Sequence, residues 1–218
     1  MALKDDLESQ VTTFFTAQWT RRNGQVVPDD TSIKLNNDGV DIEGAVLYAD
    51  LRASTAMVDG YKDWFAAEVY KAYLYCAARI VTSNSGTVTS YDGDRIMAVF
   101  VGGAKCTNAA KAALKINAMV SQIVQPELKK RYATTPFVLK HTVGVDVSKL
   151  LVAKTGARGA NDLVWVGKAA NHAAKLTNLN TFKAYITGEV YDAMHEDVKM
   201  GGDPKQNMWS ERTWTDMD

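Results

Sequence analysis

Two strand-like segments flank the dipeptide Asp92-Gly93, and this pattern constrains the fold more than any other in the sequence. The segment before it reads GTVTSY and the segment after it reads RIMAVFV, and both are rich in residues that favour strands. Asp-Gly between two such segments is a strong hairpin signal, because both residues tolerate the backbone that a two-residue turn requires. The sequence therefore predicts a hairpin whose tip carries Asp92 and Asp94 between otherwise apolar strands.

The remaining hydrophobic pattern places this hairpin in a mixed fold. The run GAVLYAD, residues 44–50, is typical of a buried central strand and ends on Asp50. Helical spacing predicts helices over residues 7–22, 64–81, 107–132 (disturbed near Pro126), 168–179 and 188–195. Further strands are expected within residues 137–147, 162–167 and 182–187. This order predicts an α+β fold in which helices pack against one sheet.

Composition narrows the class of protein. The chain has 218 residues, 46% of them hydrophobic, and can bury one substantial core. Lys plus Arg and Asp plus Glu number 25 each, so the basic field of a nonspecific nucleic-acid or anionic-membrane binder is missing. We find no signal-like start and no run of about 20 apolar residues, and we therefore expect a cytoplasmic protein without a membrane span. Cys76 and Cys106 fit no metal-ligand spacing and are interpreted as buried thiols.

Two carboxylates mark a candidate metal site. Asp50 ends a central strand and Asp94 lies beside the hairpin tip, and neighbouring strands of one sheet can bring such positions together. Paired carboxylates completed by water and phosphate oxygens suit Mg²⁺. Ser54 and Thr55 follow, where exposed backbone N–H groups and hydroxyls could receive a polyphosphate. The alternative is that Asp50 caps a helix and that Asp92 and Asp94 only serve the turn.

Three segments resemble the core motifs of class III nucleotidyl cyclases. They read VLYADLRAST, GDRIMAVF and VWVGKAANHAAKL, and the resemblance covers about residues 44–190. It implies a ferredoxin-like βαββαβ core with an added N-terminal helix, so that residues 1–36 form a helix and connector and residues 37–218 the catalytic domain. It also implies two divalent cations, Mg²⁺ or Mn²⁺, bound by Asp50, Asp94 and the main-chain carbonyl of Leu51.

The third motif implies residues that act on the ribose and the phosphates. Asn171 matches the asparagine that positions the ribose in this family, and Lys175 matches an arginine that stabilises the transition state. A lysine keeps the charge of arginine but loses its bidentate fork. The family's late triphosphate-binding lysine has no clear counterpart, and its candidates are Lys199, Lys205 and Arg212.

The base-reading positions depart from both purine patterns. Ser90 and Val164 occupy the two positions that read the purine edge in this family, and they match neither the adenine nor the guanine pattern. Tyr48 lies two residues before the first aspartate, at a position that faces the base pocket in this fold. Tyr48 and Trp165 together would narrow the pocket, which favours a one-ring base and offers its edge a hydroxyl.

This combination is similar to the bacterial pyrimidine cyclases of Pycsar antiphage systems. That similarity implies cyclisation of UTP, or next CTP, to a messenger that activates a separately encoded effector. It also implies a homodimer with two interfacial sites, in which Asp50 and Asp94 come from one chain and Tyr48, Ser90, Val164, Asn171 and Lys175 from the other. The rival interpretations are a purine cyclase and a degenerate nucleotide-binding dimerisation module. Lys175 and the missing lysine favour the degenerate module, whereas the retained carboxylate pair argues against it.

The other candidate residues are expected to have structural roles. His141, His172 and His195 share no ligand spacing and are predicted to lie at the surface or to pack, although His172 adjoins Asn171. Arg52 and Arg95 flank the two aspartates and are expected to neutralise nearby carboxylates.

Overall fold

The structure, a computed structural model, describes residues 2–157 and 159–211. The helices are α1 (Leu3–Thr16), α2 (Ser54–Gly60), α3 (Asp63–Ser83), α4 (Lys105–Met119), α5 (Gln125–Arg131), α6 (Lys168–Leu176), α7 (Gly188–Ala193) and α8 (Glu196–Lys199). The strands are β1 (Thr20–Asn23), β2 (Asp38–Leu51), β3 (Thr87–Asp92), β4 (Arg95–Phe100), β5 (His141–Ala157), β6 (Ala160–Val166), β7 (Ala184–Ile186), β8 (Met200–Gly201) and β9 (Gln206–Asn207). Among these helices, none is both long and apolar enough to cross a membrane.

Two long antiparallel strands, β2 and β5, form the centre of the main sheet, with Tyr48 opposite Gly144. The other edge of β2 pairs with β1, in parallel, near its start and with β4 near its end. The far edge of β4 pairs with β3. The other edge of β5 pairs with β7 near its start and with β6 near its end. The order of elements confirms the predicted α+β class.

Helices cover both faces of this sheet. On one face, Leu47 and Phe100 of the sheet are fully buried against α3 and α4 together with Tyr73. On the other face, Val46 packs with Ala173 of α6. Because side chains alternate along a strand, one strand supplies both cores. The third-motif helix α6 therefore lies opposite α3 and α4.

The chain before β2 differs from its prediction. Its helix begins at Leu3 and ends at Thr16, rather than extending to residue 22, and residues 20–23 form β1. The sequence TRRN has no apolar alternation, and ion pairs place the strand instead, with Arg22 Nη1 2.6 Å from Asp38 Oδ1 and Arg21 bound to Asp41. Tertiary pairing thus overrides the local pattern. The boundary after residue 36 stays a prediction.

Two further boundaries differ from expectation, and one expected irregularity is present. Asp92 still pairs with Arg95, so the turn consists of Gly93 and Asp94, with Gly93 at φ +59°. The disturbance expected near Pro126 is a π-helical turn over Val120–Val124, just before α5. Strand β5 runs to Ala157, ten residues beyond the segment predicted as a strand, because its second half is held by β6 and by β2.

Candidate active site

Asp50 lies at the end of β2, where Arg95 of β4 is its cross-strand partner. Arg95 Nη2 donates to Asp50 Oδ2 at 2.9 Å, and the aspartate side chain is only 15% exposed. Burial raises the pKa of Asp50 and the charges of Asp94 and Asp92 add to this effect, whereas Arg95 opposes it. Because Arg95 directly follows Asp94, its pairing with Asp50 brings Asp50 and the hairpin tip into one region.

Asp94 supplies the second carboxylate from the β3–β4 turn. Its Oδ2 atom is buried and has no hydrogen-bond partner among the described residues. A buried acceptor without a donor is costly, and a cation is one way to satisfy it. The described residues include no cluster of three or more His, Cys, Asp or Glu side chains able to hold a metal. Two carboxylates and a carbonyl completed by substrate and water oxygens fit Mg²⁺ or Mn²⁺, which seldom receive a full protein cage.

Arg95 connects this carboxylate pair to the predicted base pocket. Its guanidinium carbon lies 5.9 Å from the ring centroid of Tyr48, which is half-buried. Burial also raises the pKa of the Tyr48 hydroxyl. Arg95 therefore neutralises a carboxylate, as predicted. Arg52 points elsewhere, since its Nη1 donates to the carbonyl of Asn180 at 3.0 Å.

Two buried polar side chains lie near the end of β2. Tyr73 Oη and His141 Nε2 are buried without a hydrogen-bond partner among the described residues, and their ring centroids are 6.1 Å apart. Burial raises the pKa of Tyr73 well above its ordinary value, and the charges of Asp50 and Asp94 raise it further. Burial lowers the pKa of His141 to about 4, so this histidine is neutral at pH 7. It packs in the interior, as expected.

The predicted phosphate-facing turn follows Asp50 directly. Ala53 takes a left-handed backbone conformation, with φ +58°, and Ser54 begins α2. Such a conformation is unusual for a residue with a Cβ and recurs at functional sites. Ser54 is half-buried and Thr55 is exposed, and the first N–H groups of α2 have no partner within the helix. This places the strand-to-helix transition where the sequence predicts it.

The third-motif side chains lie on the outer face of α6. Asn171 and Lys175 are one helical turn apart and exposed, whereas Ala169 and Ala173 pack on the sheet. Among the described residues, neither outer side chain makes a hydrogen bond or an ion pair. Both are therefore free to bind a ligand or a second chain.

Gly144 brings α6 close to the sheet. A Cβ at this position would lie 2.2 Å from the carbonyl oxygen of Ala173 and 2.7 Å from Cβ of Leu176. Only glycine permits this contact, because a backbone atom cannot swing aside as a side chain can. The position of Asn171 and Lys175 above the sheet depends on it.

A buried carboxylate that the sequence prediction did not include lies beside α6. Asp146 is fully buried, and its Oδ1 accepts from the Val147 N–H at 2.8 Å and from Thr187 Oγ1 at 2.6 Å. Its Oδ2 lies 3.4 Å from Nδ1 of His172, the neighbour of Asn171. The available signal was an aspartate inside the apolar run VGVDV, since charged residues are seldom fully buried unless paired.

The remaining base-pocket candidates lie along the sheet. Ser90 is half-buried opposite Met97, whose other cross-strand neighbour is Tyr48. Trp165 packs on the same apolar cluster as Tyr48, whereas Val164 is exposed. In the register of β5, Tyr48 and Trp165 stand opposite residues eight positions apart, Gly144 and Val152. The two aromatic rings therefore occupy different parts of this cluster.

The candidates for the missing late lysine differ in their surroundings. Lys199 is mostly buried, with Nζ 4.9 Å from the ring centroid of Tyr191 and 4.0 Å from Glu196 Oε2. Lys205 is exposed in the turn between β8 and β9. Arg212 lies outside the described residues. His195 is exposed beside Asp197, as expected for a surface histidine.

The solved structures that match this fold include class III cyclase domains. The structure matches a class III adenylyl cyclase-like ATP-binding protein from Pseudomonas aeruginosa with a TM-score of 0.69 at 17% identity, over 89% of this chain and 43% of that one. It matches the guanylyl cyclase Cya2 with a TM-score of 0.66 at 17% identity, over 75% of this chain and 82% of that one. These matches define the fold as that of class III nucleotidyl cyclase catalytic domains.

Sequence relatives narrow the class. The chain is 52% identical over 215 residues to a uridylate cyclase of Xanthomonas perforans, a match that covers 98% of this chain and 92% of the relative. It is 47% identical to a uridylate cyclase of Burkholderia cepacia, over 100% of this chain and 94% of the relative. No protein-family model matches the chain. The chain belongs to the family of these bacterial uridylate cyclases.

Proposed function

We propose that this enzyme converts UTP into 3′,5′-cyclic UMP and pyrophosphate. The observation that carries the choice of UTP is the near full-length identity of 52% to a protein named uridylate cyclase. The departure of Ser90 and Val164 from both purine-reading patterns supports the same choice. On the resemblance to Pycsar cyclases, we further propose that the product acts as an antiphage messenger through a separate effector.

The carboxylate pair would hold the catalytic cations. Asp50, Asp94 and the carbonyl of Leu51 are the ligands that this chain offers to two Mg²⁺ or Mn²⁺ ions. Bound there, such ions would activate the ribose 3′-hydroxyl and neutralise the triphosphate. Arg95 holds Asp50 in place through the 2.9 Å contact and offsets its charge. Asp94 brings a buried oxygen that no described residue satisfies.

The outer face of α6 would serve the sugar and the phosphates. Asn171 offers an amide to the ribose, and Lys175 offers a charge to the phosphate that is attacked. Both side chains point away from the sheet of their own chain, and this outward position favours a site completed by a second copy. We therefore propose a homodimer in which Asp50 and Asp94 of one chain work with Asn171 and Lys175 of the other.

Base choice would depend on the pocket that the sequence predicts around Tyr48. A site that hydrogen-bonds its substrate rejects an analogue lacking that bond far better than pocket size alone does. The Tyr48 hydroxyl and Ser90 are the polar groups available to a uracil edge. Val164 and Trp165 lie farther along the sheet of the same chain, so they would add apolar surface to this pocket only from the second copy.

To test this proposal directly, the purified protein is incubated with all four nucleoside triphosphates and Mn²⁺, and the products are identified by mass spectrometry. We expect cyclic UMP to form at least 100-fold faster than cyclic AMP or cyclic GMP, and Tyr48→Ala to lower turnover of UTP more than any residual turnover of ATP. Comparable rates for UTP and ATP would refute the proposed substrate. A preference for CTP would refute the choice of uracil but retain a pyrimidine.

A further inference from the structure

The N-terminal helix α1 is amphipathic, yet the described residues leave its apolar side uncovered. No residue of Leu3–Thr16 is buried. The large apolar side chains share one side of the helix and are 46 to 85% exposed; this apolar stripe consists of Leu3, Leu7, Val11, Phe14 and Phe15. An isolated helix of 14 residues is only marginally stable in water. We therefore expect another surface to cover the apolar stripe.

The end of α1 is fixed to a particular end of the sheet. Asn37 Nδ2 donates to the carbonyls of Phe14 and Ala17 at 3.0 and 2.7 Å. Strand β1 then pairs with the first residues of β2, where Gly39 stands opposite Ala153 and Ala153 opposite Val164. The helix therefore leaves the sheet at the same end as the third-motif strand β6.

We propose that α1 docks its apolar stripe on the second copy of the chain. This inference rests on the shared site of the proposed function. In the proposed dimer, β6 and α6 of one chain face Asp50 of the second copy. The C-terminal end of α1 then lies next to the segment that follows Asp50 in that second copy. That segment is α2 and the start of α3, and α2 spans only about 10 Å.

An apolar groove lies at this place on the surface. It has a volume of about 380 Å³ and is lined by aromatic rings with a basic rim, namely Tyr61, Trp64, Phe65 and Tyr132 with Lys62 and Arg131. Trp64 is 53% exposed, with its ring centroid 6.0 Å from that of Tyr132. Exposed aromatic rings of this kind are the usual anchors of protein interfaces.

The chemistry of the two surfaces is complementary. The helix carries Asp5, Asp6 and Glu8 against the single cation Lys4, so it is acidic. The groove is apolar at its base and carries cations at its rim. An acidic helix with an apolar stripe fits such a groove as a helix fits a recognition groove.

The test measures the dimer dissociation constant of the full chain by sedimentation velocity. Val11→Asp places a charge in the stripe, and Ser9→Asp places the same charge on the opposite side of the same helix. Trp64→Ala removes the groove anchor, and Tyr75→Ala removes an exposed tyrosine three turns along the same side of α3. We expect Val11→Asp and Trp64→Ala each to raise the constant at least tenfold, and both controls to change it less than twofold.

The double variant shows whether helix and groove meet. If they do, Val11→Asp together with Trp64→Ala weakens the dimer no more than the stronger single variant does. An unchanged constant for either single variant, or additive effects in the double variant, overturns the docking. Such a result leaves the proposed function intact if UTP is still cyclised. A wild-type protein that cyclises UTP as a monomer overturns both the docking and the shared site.

Discussion

The two carboxylates differ from their neighbour Asp92 in burial. Asp50 and Asp94 are partly buried, and Asp92, the last residue of β3, is exposed. We expect Asp50→Asn and Asp94→Asn each to lower UTP cyclisation at least 100-fold without unfolding the protein, because amides bind Mg²⁺ poorly. Asp92→Asn is the matched control and should keep most of the activity.

The same variants also test metal binding directly. Calorimetry with Mn²⁺ should show weaker binding for Asp50→Asn and Asp94→Asn and unchanged binding for Asp92→Asn. Near-normal turnover in either of the first two variants would mean that the metal site lies elsewhere.

His141 makes stability depend on pH. Its pKa is about 4 in the folded chain and about 6.5 when unfolded, so the unfolded state binds the proton more readily. The free energy of unfolding should therefore fall as the pH falls from 6.5 to 4, by about 3 kcal/mol in total at about 1.36 kcal/mol per unit. Urea titrations of metal-free protein across this range should show a shallower fall for His141→Gln than for the wild type. His195→Gln, at an exposed histidine, is the control, and equal slopes for all three proteins would contradict this account.

Residue by residue, motifs were easier to predict than contacts. Asp50 and Asp94 follow from sequence because a strand end and a hairpin tip are local features. The contact between Asp146 and His172 joins β5 to α6, and no local pattern indicates which buried aspartate meets which helix. The close approach of Gly144 to the Ala173 carbonyl likewise depends on tertiary packing, which no local pattern indicates.

At the scale of elements, the seat of α6 on the sheet should be sensitive to a single methyl group. Gly144→Ala would place a Cβ 2.2 Å from the Ala173 carbonyl oxygen, so α6 must shift. We expect the free energy of unfolding to fall by about 1–3 kcal/mol and turnover to fall at least tenfold, since α6 carries Asn171 and Lys175. Gly103→Ala, at a glycine with nothing within 4 Å, should leave both quantities unchanged, as urea denaturation and a turnover assay can check. Equal behaviour of the two variants would show that the close approach is unimportant.

Elements with strong periodicity were predicted well, and elements held by partners were not. Helix α3 and the β3–β4 hairpin appear where the pattern indicates them. Each is formed by one short segment whose own residues carry the helical spacing or the turn signal. Strand β1 is polar and depends on its ion pairs with β2. Helix α1 has helical spacing but ends at Thr16, where Asn37, the residue before β2, binds the end of the helix.

At the scale of the whole molecule, the proposed catalytic groups come from two different elements of the chain. The carboxylates lie at the end of β2, and the free side chains of Asn171 and Lys175 lie on the outer face of α6. In the proposed function, each catalytic site combines groups from two copies of the chain. A chain with a complete site of its own would have no need of a partner.

Mixing two inactive variants tests this requirement most directly. Chains with Asp50→Ala and chains with Asn171→Ala should each be inactive alone, and equal mixing should regain about a quarter of wild-type turnover of UTP, because half of the dimers are mixed and each restores one of two sites. Absence of any rescue, with mixed dimers shown to form by mass spectrometry, would contradict the shared site.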